Sequence, residues 1–295
     1  MHADLDLLCI AIFCAADDFL PKPAENARRK LTDAEVVTLC VAQVLLGIPS
    51  DRRFLAAAAH RLSHLFPLLP AQDAFHKRRA RLADSIEWLI AHFASMSPGW
   101  WDELLLLDST PVETARSRET VKRAGDSALC DAIGDAAGYG YCPSHSRYFY
   151  GMRLHLLAAP DGTPRAATLW SPERGEREIA LSMLPRALHG GETIVADKGY
   201  AGDEFAAAAN ELGAQIIRPN RKDEPARAPV ISGIRQGVES IIETCKDILT
   251  LERHGARTLH NLRARIATRL LALAACVTLN HQLGRPSRSL VAYTT

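Results

Sequence analysis

The apolar pattern of the chain changes period near residue 103, and that change limits what each part can become. Before it, apolar residues recur at the 3.6 spacing of helices. At it, Leu104-Leu105-Leu106-Leu107 forms a short apolar run closed by Asp108, which suits a buried strand ending on an acid.

In residues 1–95 the punctuation falls where helix ends belong. Thr32 with Glu35 makes a capping-box pattern ahead of Val36, Val37, Leu39, Val41, Val44 and Leu45, and Gly47 with Pro49 closes it. Ser50 opens a second helix that Pro67 closes. Asp73 caps a third that runs through His76-Lys77-Arg78-Arg79-Ala80-Arg81 into Trp88 and Ile90. The apolar run at residues 7–16 follows Asp4 and Asp6 where a secretory signal would carry basic residues, so it reads as a buried helix.

After residue 103 a glycine- and charge-rich connection leads to two strands, at 148–159 and 165–170, around Pro160-Asp161-Gly162-Thr163-Pro164. A helix follows at 175–188, a strand at 193–196, a helix at 203–212 and a strand at 215–218. Past the Pro- and charge-rich stretch 219–229, a long helix at about 233–251 and further helix to 283 complete the chain. Three strands, helix, strand, helix, strand and helix is the element order of an α/β, ribonuclease-H-like mixed sheet of five strands with flanking helices. The expected organisation is a helical, DNA-binding domain at 1–95, a catalytic domain at 103–283 and a tail at 284–295.

Composition narrows the function classes. The chain has 295 residues with 35 Lys+Arg against 34 Asp+Glu, a net charge of +1, so neither a uniformly basic coat nor an acidic solvating protein describes it. Seven scattered cysteines without a Cys-x-x-Cys pair argue against a disulfide framework or zinc ribbon. Cys130, Cys142 and His145 match no common zinc spacing. The apolar run at 270–279 is too short to span a bilayer, and a reduced, cytoplasmic location is expected. Local charge is less even: residues 52–81 hold seven Lys+Arg and one acid, Asp73. Such a run is ordinarily a solvated helix face; beside a phosphodiester-type site, backbone contact with DNA becomes its expected use.

Three acids fall at related places. Asp108 ends the first strand, Asp197 follows Thr193-Ile194-Val195-Ala196, and Glu239 lies on the late helix. Three such carboxylates can hold two hard divalent cations about 4 Å apart and serve phosphoryl transfer. On that helix Arg235, Glu239 and Lys246 share a narrow arc beside Ile234, Val238, Ile241, Cys245 and Ile248. Each acid has a plainer reading. Asp108 and Asp197 can cap turns, and Glu243, one turn beyond Glu239, competes as the third acid; the Arg and Lys spacing selects Glu239.

Asp108-Ser109-Thr110, Asp197-Lys198-Gly199-Tyr200 and Arg235-x3-Glu239-x6-Lys246, in this order, resemble the DDE transposases of bacterial insertion sequences. Strings around Gly140-Tyr141-Cys142, Tyr148-Phe149-Tyr150-Gly151 and Leu251-Glu252-Arg253-His254 resemble the nine-eight-two family among them, over roughly residues 30–280. One departure is Ser232, where related transposases often carry a tyrosine. The resemblance implies a metal-dependent endonuclease and strand transferase acting on its own element's terminal inverted repeats. Asp108, Asp197 and Glu239 would bind two Mg²⁺ ions, Mn²⁺ substituting, and Arg235 and Lys246 would hold DNA phosphates. Further DNA contacts are expected from Lys77, Arg78, Arg79, Arg81, Arg218, Arg221 and Lys222. Joining two ends implies a homodimer on DNA, nucleoid-associated when bound.

Among other enzyme classes, a dehalogenase-type phosphatase wants an aspartate where Thr110 stands. The nucleophile-elbow and phosphate-loop glycine motifs are missing. A ribonuclease-H-like nuclease or resolvase without strand transfer shares the metal chemistry, and a domesticated DNA-binding protein that no longer cuts is the non-enzymatic rival. Trp170, Tyr200 and Tyr148 are expected to pack in the core rather than stack on a base, and His155 to be a hydrogen-bonded structural residue.

Overall fold

A computed structural model of the chain describes residues 3–22, 30–115, 137–142, 146–219, 232–256 and 258–294. Five helices come first: α1 (Ala3–Phe19), α2 (Asp33–Leu45), α3 (Asp51–Arg61), α4 (Gln72–Arg81) and α5 (Ala83–Ser95). Then follow β1 (Leu104–Ala115), β2 (Gly138–Cys142), β3 (Arg147–Ala158), β4 (Pro164–Trp170), α6 (Glu176–Ala187), β5 (Thr193–Ala196), α7 (Asp203–Glu211) and β6 (Gln215–Ile217). The last long elements are α8 (Ser232–Asp247) and α9 (Leu259–Gln282). Among the described residues no helix is long and apolar enough to cross a membrane.

The chain forms two compact units, one of Met1–Met96 with Thr244–Thr295 and one of Ser97–Glu243. The helices after residue 243 therefore group with the N-terminal helices and not with the sheet, whereas the expected catalytic domain runs on to residue 283. The helical unit is built around α9, which packs along α5 and touches α1, α2 and α4. Its residues from Leu270 to Leu279 are apolar or small on every side, as a helix enclosed by others requires. The polar exceptions are satisfied: Thr278 Oγ1 donates to the Phe93 carbonyl and Asn280 accepts from the Tyr293 hydroxyl at 2.7 Å.

The capping box at α2 is present, with Glu35 N–H donating to Thr32 Oγ1 and Thr32 N–H to the Glu35 carboxylate. Thr32→Ala is expected to lower stability by about 1 kcal/mol, read as a lower urea midpoint at unchanged slope. Ser50 caps α3, which ends at Arg61 before Pro67 is reached. The helix expected to be capped by Asp73 and to run into Trp88 and Ile90 starts instead at Gln72 after Ala71, with no side-chain cap, and is two helices broken at Leu82, whose φ of −90° and ψ of 9° cap one and start the other. No glycine or proline marks this break. On α1, Leu5, Leu8, Ile12 and Ala16 are buried while Leu7 and Ile10 are exposed, so only one face of the apolar run is enclosed.

Within the helical unit lies a buried ionic knot. Arg79 donates to both Asp51 oxygens, at 3.0 and 2.8 Å, and to Gln43 Oε1; Arg265 donates to Asp51 Oδ1 at 2.8 Å. Burial works to raise the Asp51 pKa, but hydrogen bonding to Arg79, the charges of Arg79 and Arg265, and Gln43 outweigh it and hold the carboxyl well below its usual range. Arg269 is buried beside them on neutral acceptors, the Thr250 and Arg265 carbonyls and the Thr250 hydroxyl. Burial first, then the charges of Arg265 and Arg79, lower its pKa to about 9.

Among the described residues the second unit holds a six-stranded mixed sheet in the order β2-β3-β1-β5-β6, with β4 also paired to β3. β3 runs antiparallel to β1, β2 and β4, whereas β1, β5 and β6 run parallel. Because β2 pairs with β3 at Arg147 to Gly151 and β4 pairs with it at Arg153 to Ala158, β2 and β4 flank successive parts of β3.

Five strands were expected; β2 is the sixth, and it lies in what reads as a glycine-rich connection. Its glycines serve close approach: a Cβ at Gly140 would stand 2.6 Å from the Phe149 ring and 2.7 Å from Pro172. β1 also runs past Asp108 to Ala115, still paired with β3. Asp108 therefore does not end its strand. It marks the point where β5 stops alongside, and Pro111 falls in the half-paired stretch beyond.

One face of the sheet is closed by α6 and α7. Leu105, Leu107, Leu157, Ile194 and Ala196 pack there with Ile179, Leu184, Phe205 and Ala209. Strand alternation sends Leu106 and Asp108 to the other face, where a small cavity is shared by Leu106, Asp108, Leu156, Ala158, Ile241 and Ile242. The first part of α8 thus lies against that face, and a Cβ at Gly237 would meet Leu106 at 3.5 Å.

Candidate active site

β1 and β5 pair in parallel from Leu104↔Thr193 to Leu107↔Ala196. One residue further stand Asp108, still within β1, and Asp197, just past the end of β5, where the paired backbones run about 4.8 Å apart. Since Leu107 and Ala196 both enter the core under α6 and α7, the period of two turns both aspartates toward α8. Asp108 is half-buried and Oδ1 accepts the Ser109 N–H at 2.7 Å. Asp197 is exposed, has an extended backbone (φ −78°, ψ 172°) and leads into a tight turn at Lys198–Tyr200.

Glu239 is exposed on α8, two residues from Gly237 and from Ile241, which face β1. Glu243 is exposed one turn further on. Among the described residues no three His, Cys, Asp or Glu side chains are grouped as a metal site. What the fold brings together is the pair Asp108 and Asp197 on one face, with an acid-bearing helix across the same face. Carboxylate oxygens are the donors a hard divalent cation takes, so the donor chemistry of the pair suits such a cation.

The basic residues divide. Lys246 is half-buried on α8, in its last turn. Arg235 belongs to α8, its side chain outside the description; Arg221 and Lys222 lie outside the described residues. Arg218 is half-buried after β6 and donates to the Pro219 carbonyl at 3.3 Å. Lys77 and Arg81 are exposed on α4, and Arg78 pairs with Asp33 at 2.6 Å. Arg79 is corrected: at 1% exposure, with its guanidinium engaged by Asp51 and Gln43, it is a core residue and no DNA contact.

Tyr200 is buried, as expected, but Tyr148 is 69% exposed, and Trp170 is half-buried under the Arg174 guanidinium. Tyr148 escapes the core because its strand partner is Tyr141, also exposed, in the β2 and β3 pair. His155 is fully buried near the Tyr200 hydroxyl, and burial with the Arg153 charge lowers its pKa to about 4, so it is neutral at pH 7.

A cluster not foreseen in the sequence lies behind the aspartates, on the α6 face. Glu176, in the first turn of α6, accepts from Ser109 Oγ at 2.8 Å and pairs with Arg153. Burial, then the Glu176 and Asp108 carboxylates, raise the Tyr200 pKa, so its phenol stays protonated. The signal available was the placement of Glu176 at the start of a helix just after β4; nothing in its spacing ties it to Ser109.

Residues 101–275 match the family model of the transposase DDE domain, which places the chain among nuclease and transferase enzymes. The match covers more than half of the chain, and the chain belongs to the transposase DDE domain family. DDE transposases generally use divalent metals, and transposition of DNA is the activity class of the family. No match is found among curated proteins. Among solved structures, the piggyBac transposase synaptic complex with hairpin DNA is similar at 10% identity and a TM-score of 0.41, over 99% of this chain and 82% of that one.

Proposed function

We propose that the protein is an insertion-sequence transposase of the nine-eight-two family that cuts DNA at its element's terminal inverted repeats and joins the freed ends to target DNA. One observation carries this reading: Asp108 and Asp197 stand side by side where β5 ends against β1, facing α8, in a chain of the DDE family. The sheet order supports a ribonuclease-H-like catalytic domain, since β4-β3-β1-β5-β6 places the third, second, first, fourth and fifth of that fold's strands in line, with β2 as an addition.

Asp108, Asp197 and Glu239 would hold the divalent cations, Mg²⁺ or Mn²⁺, on this face. When bound, such ions activate an attacking oxygen and stabilise the leaving one in phosphoryl transfer. The protein's own contribution is placement. β1 fixes Asp108, the turn after β5 presents Asp197, α8 presents Glu239, and Arg235 and Lys246 orient phosphates of the scissile strand. Hydrolysis at the element end leaves a 3′-hydroxyl, and that hydroxyl attacks the target phosphodiester in line. Two ends must be joined, so two chains act together on DNA in the cytoplasm, at the nucleoid.

The test is incubation of the full chain with DNA carrying the element's terminal repeats and a target plasmid, with and without Mg²⁺. Metal-dependent nicking followed by joined products supports the reading. Nicking without joining would make the chain a nuclease or resolvase, and binding without nicking a DNA-binding protein only.

Exposed Lys77 and Arg81 assign α4 to the DNA backbone in this reading. Changing both to Ala is expected to weaken binding to any sequence and to flatten the slope of log affinity against log salt by about 2. An unchanged slope removes α4 from the interface.

A further inference from the structure

The half-buried cluster behind the two aspartates ties β1 and the turn after β5 to one side chain. Ser109 follows Asp108 directly and points to the opposite face of β1, where its hydroxyl donates to Glu176 Oε1 at 2.8 Å. The same oxygen takes the Arg153 guanidinium from β3. The second oxygen, Oε2, lies against Gly199, two residues beyond Asp197, so closely that an alanine Cβ there would overlap it. Tyr200, close enough for its phenol to feel the Glu176 charge, is neutral at pH 7, and Arg153 is the cation paired with the carboxylate.

A carboxylate has two acceptor oxygens and no donor, and here one oxygen engages the β1 side while the other seats under the turn after β5. The glycine at 199 makes that seat. The two contacts fall on the residue next to Asp108 and on the residue two beyond Asp197, so Glu176 ties the middle of β1, at Asp108, to the turn that follows Asp197.

We propose that Glu176 is a positioning residue that sets the separation of Asp108 and Asp197 by gripping Ser109 and the Gly199 turn from the opposite face of the sheet. This rests on the reading of the two aspartates as metal-holding groups and adds to it a residue outside the acidic triad. Partners that orient ligating carboxylates typically change metal affinity by about 10- to 100-fold when removed. Glu176→Gln keeps the size but sets a donor amide against either Arg153 or the Gly199 turn. Gly199→Ala keeps Glu176 but fills the seat of its oxygen.

The experiment measures Mn²⁺ binding to the full chain by the loss of the free-ion electron paramagnetic resonance signal, beside thermal melting and the Mg²⁺ midpoint for cleavage of terminal-repeat DNA. Glu176→Gln and Gly199→Ala are each expected to weaken Mn²⁺ binding and raise the Mg²⁺ midpoint by about tenfold or more. Ser109→Ala is expected to shift both less, and to add nothing to Glu176→Gln, because the two act as one unit. A merely structural role would lower the melting temperature and leave the metal midpoint of the folded fraction unchanged, and that result overturns the proposal.

Should Glu176→Gln fail to fold, Gly199→Ala and Ser109→Ala carry the same comparison. Absence of Mn²⁺ binding by the unsubstituted chain overturns the metal reading and this inference with it. An unchanged midpoint in the Glu176 and Gly199 variants beside a weakened one in Asp108→Asn overturns this inference alone.

Discussion

Asp108→Asn is expected to lower cleavage of terminal-repeat DNA by about three orders of magnitude or more while leaving DNA binding within about twofold. The size follows from what is removed: a carboxylate that supports a cation in phosphoryl transfer contributes several kcal/mol to the transition state, and each 1.36 kcal/mol is about tenfold in rate. Asn keeps the shape and can still accept from the Ser109 N–H, so the strand register survives the change. Single-turnover cleavage and gel-shift titration on the same preparation separate chemistry from binding. Nicking at the unsubstituted rate would refute the assignment of Asp108, and equal loss of binding and nicking would recast it as a folding residue.

Asp51→Ala is expected to destabilise the helical unit by about 3–5 kcal/mol, because Arg79 and Arg265 are left as buried cations without their carboxylate. The comparison that identifies the cause is a triple change of Asp51, Arg79 and Arg265 to apolar residues of similar volume. It should recover much of the loss, whereas a simple cavity effect would not be recovered.

The pH dependence has a definite sign. The folded-state pKa of Asp51 is depressed below its unfolded value near 4, so its contribution is fully present above that value and declines as pH falls toward the folded pKa. The wild-type melting temperature should therefore drop below about pH 4 with a contribution that Asp51→Ala lacks. Parallel acid profiles for the two proteins would show that the knot is not a source of acid sensitivity.

Much of the architecture was legible because it follows from local rules. The Thr32 and Glu35 capping pair, the turn at Pro160 to Pro164 and the short apolar run 193–196 each specify an element without help from distant residues. The failures have the opposite character. The break at Leu82 carries no glycine or proline. The strand at Gly138–Cys142 reads as a connection because its glycines, which fit under Phe149 and Pro172, look like turn formers when the partner is unseen. The run of basic residues predicts a DNA contact at Arg79, yet one position in a helical run can face inward when a carboxylate such as Asp51 waits there.

For the candidate site, the acids and the end of β5 could be read from the chain, the continuation of β1 past Asp108 could not, and the pairing of β1 with β5 brings two of the acids side by side. Glu176 could not be found this way, since its partners Ser109, Arg153 and Gly199 are 67, 23 and 23 residues distant and share no periodic pattern with it.

The unequal lengths of β1 and β5 make the two aspartates mechanically different. Asp108 is woven into a strand that stays bonded to its neighbour for another seven residues, to Ala115, while Asp197 follows the last rung, at Ala196, and leads into a bend. Under the proposed assignment the arrangement is a vice with one fixed jaw and one adjustable jaw, and accommodation of different reacting groups is expected on the Asp197 side.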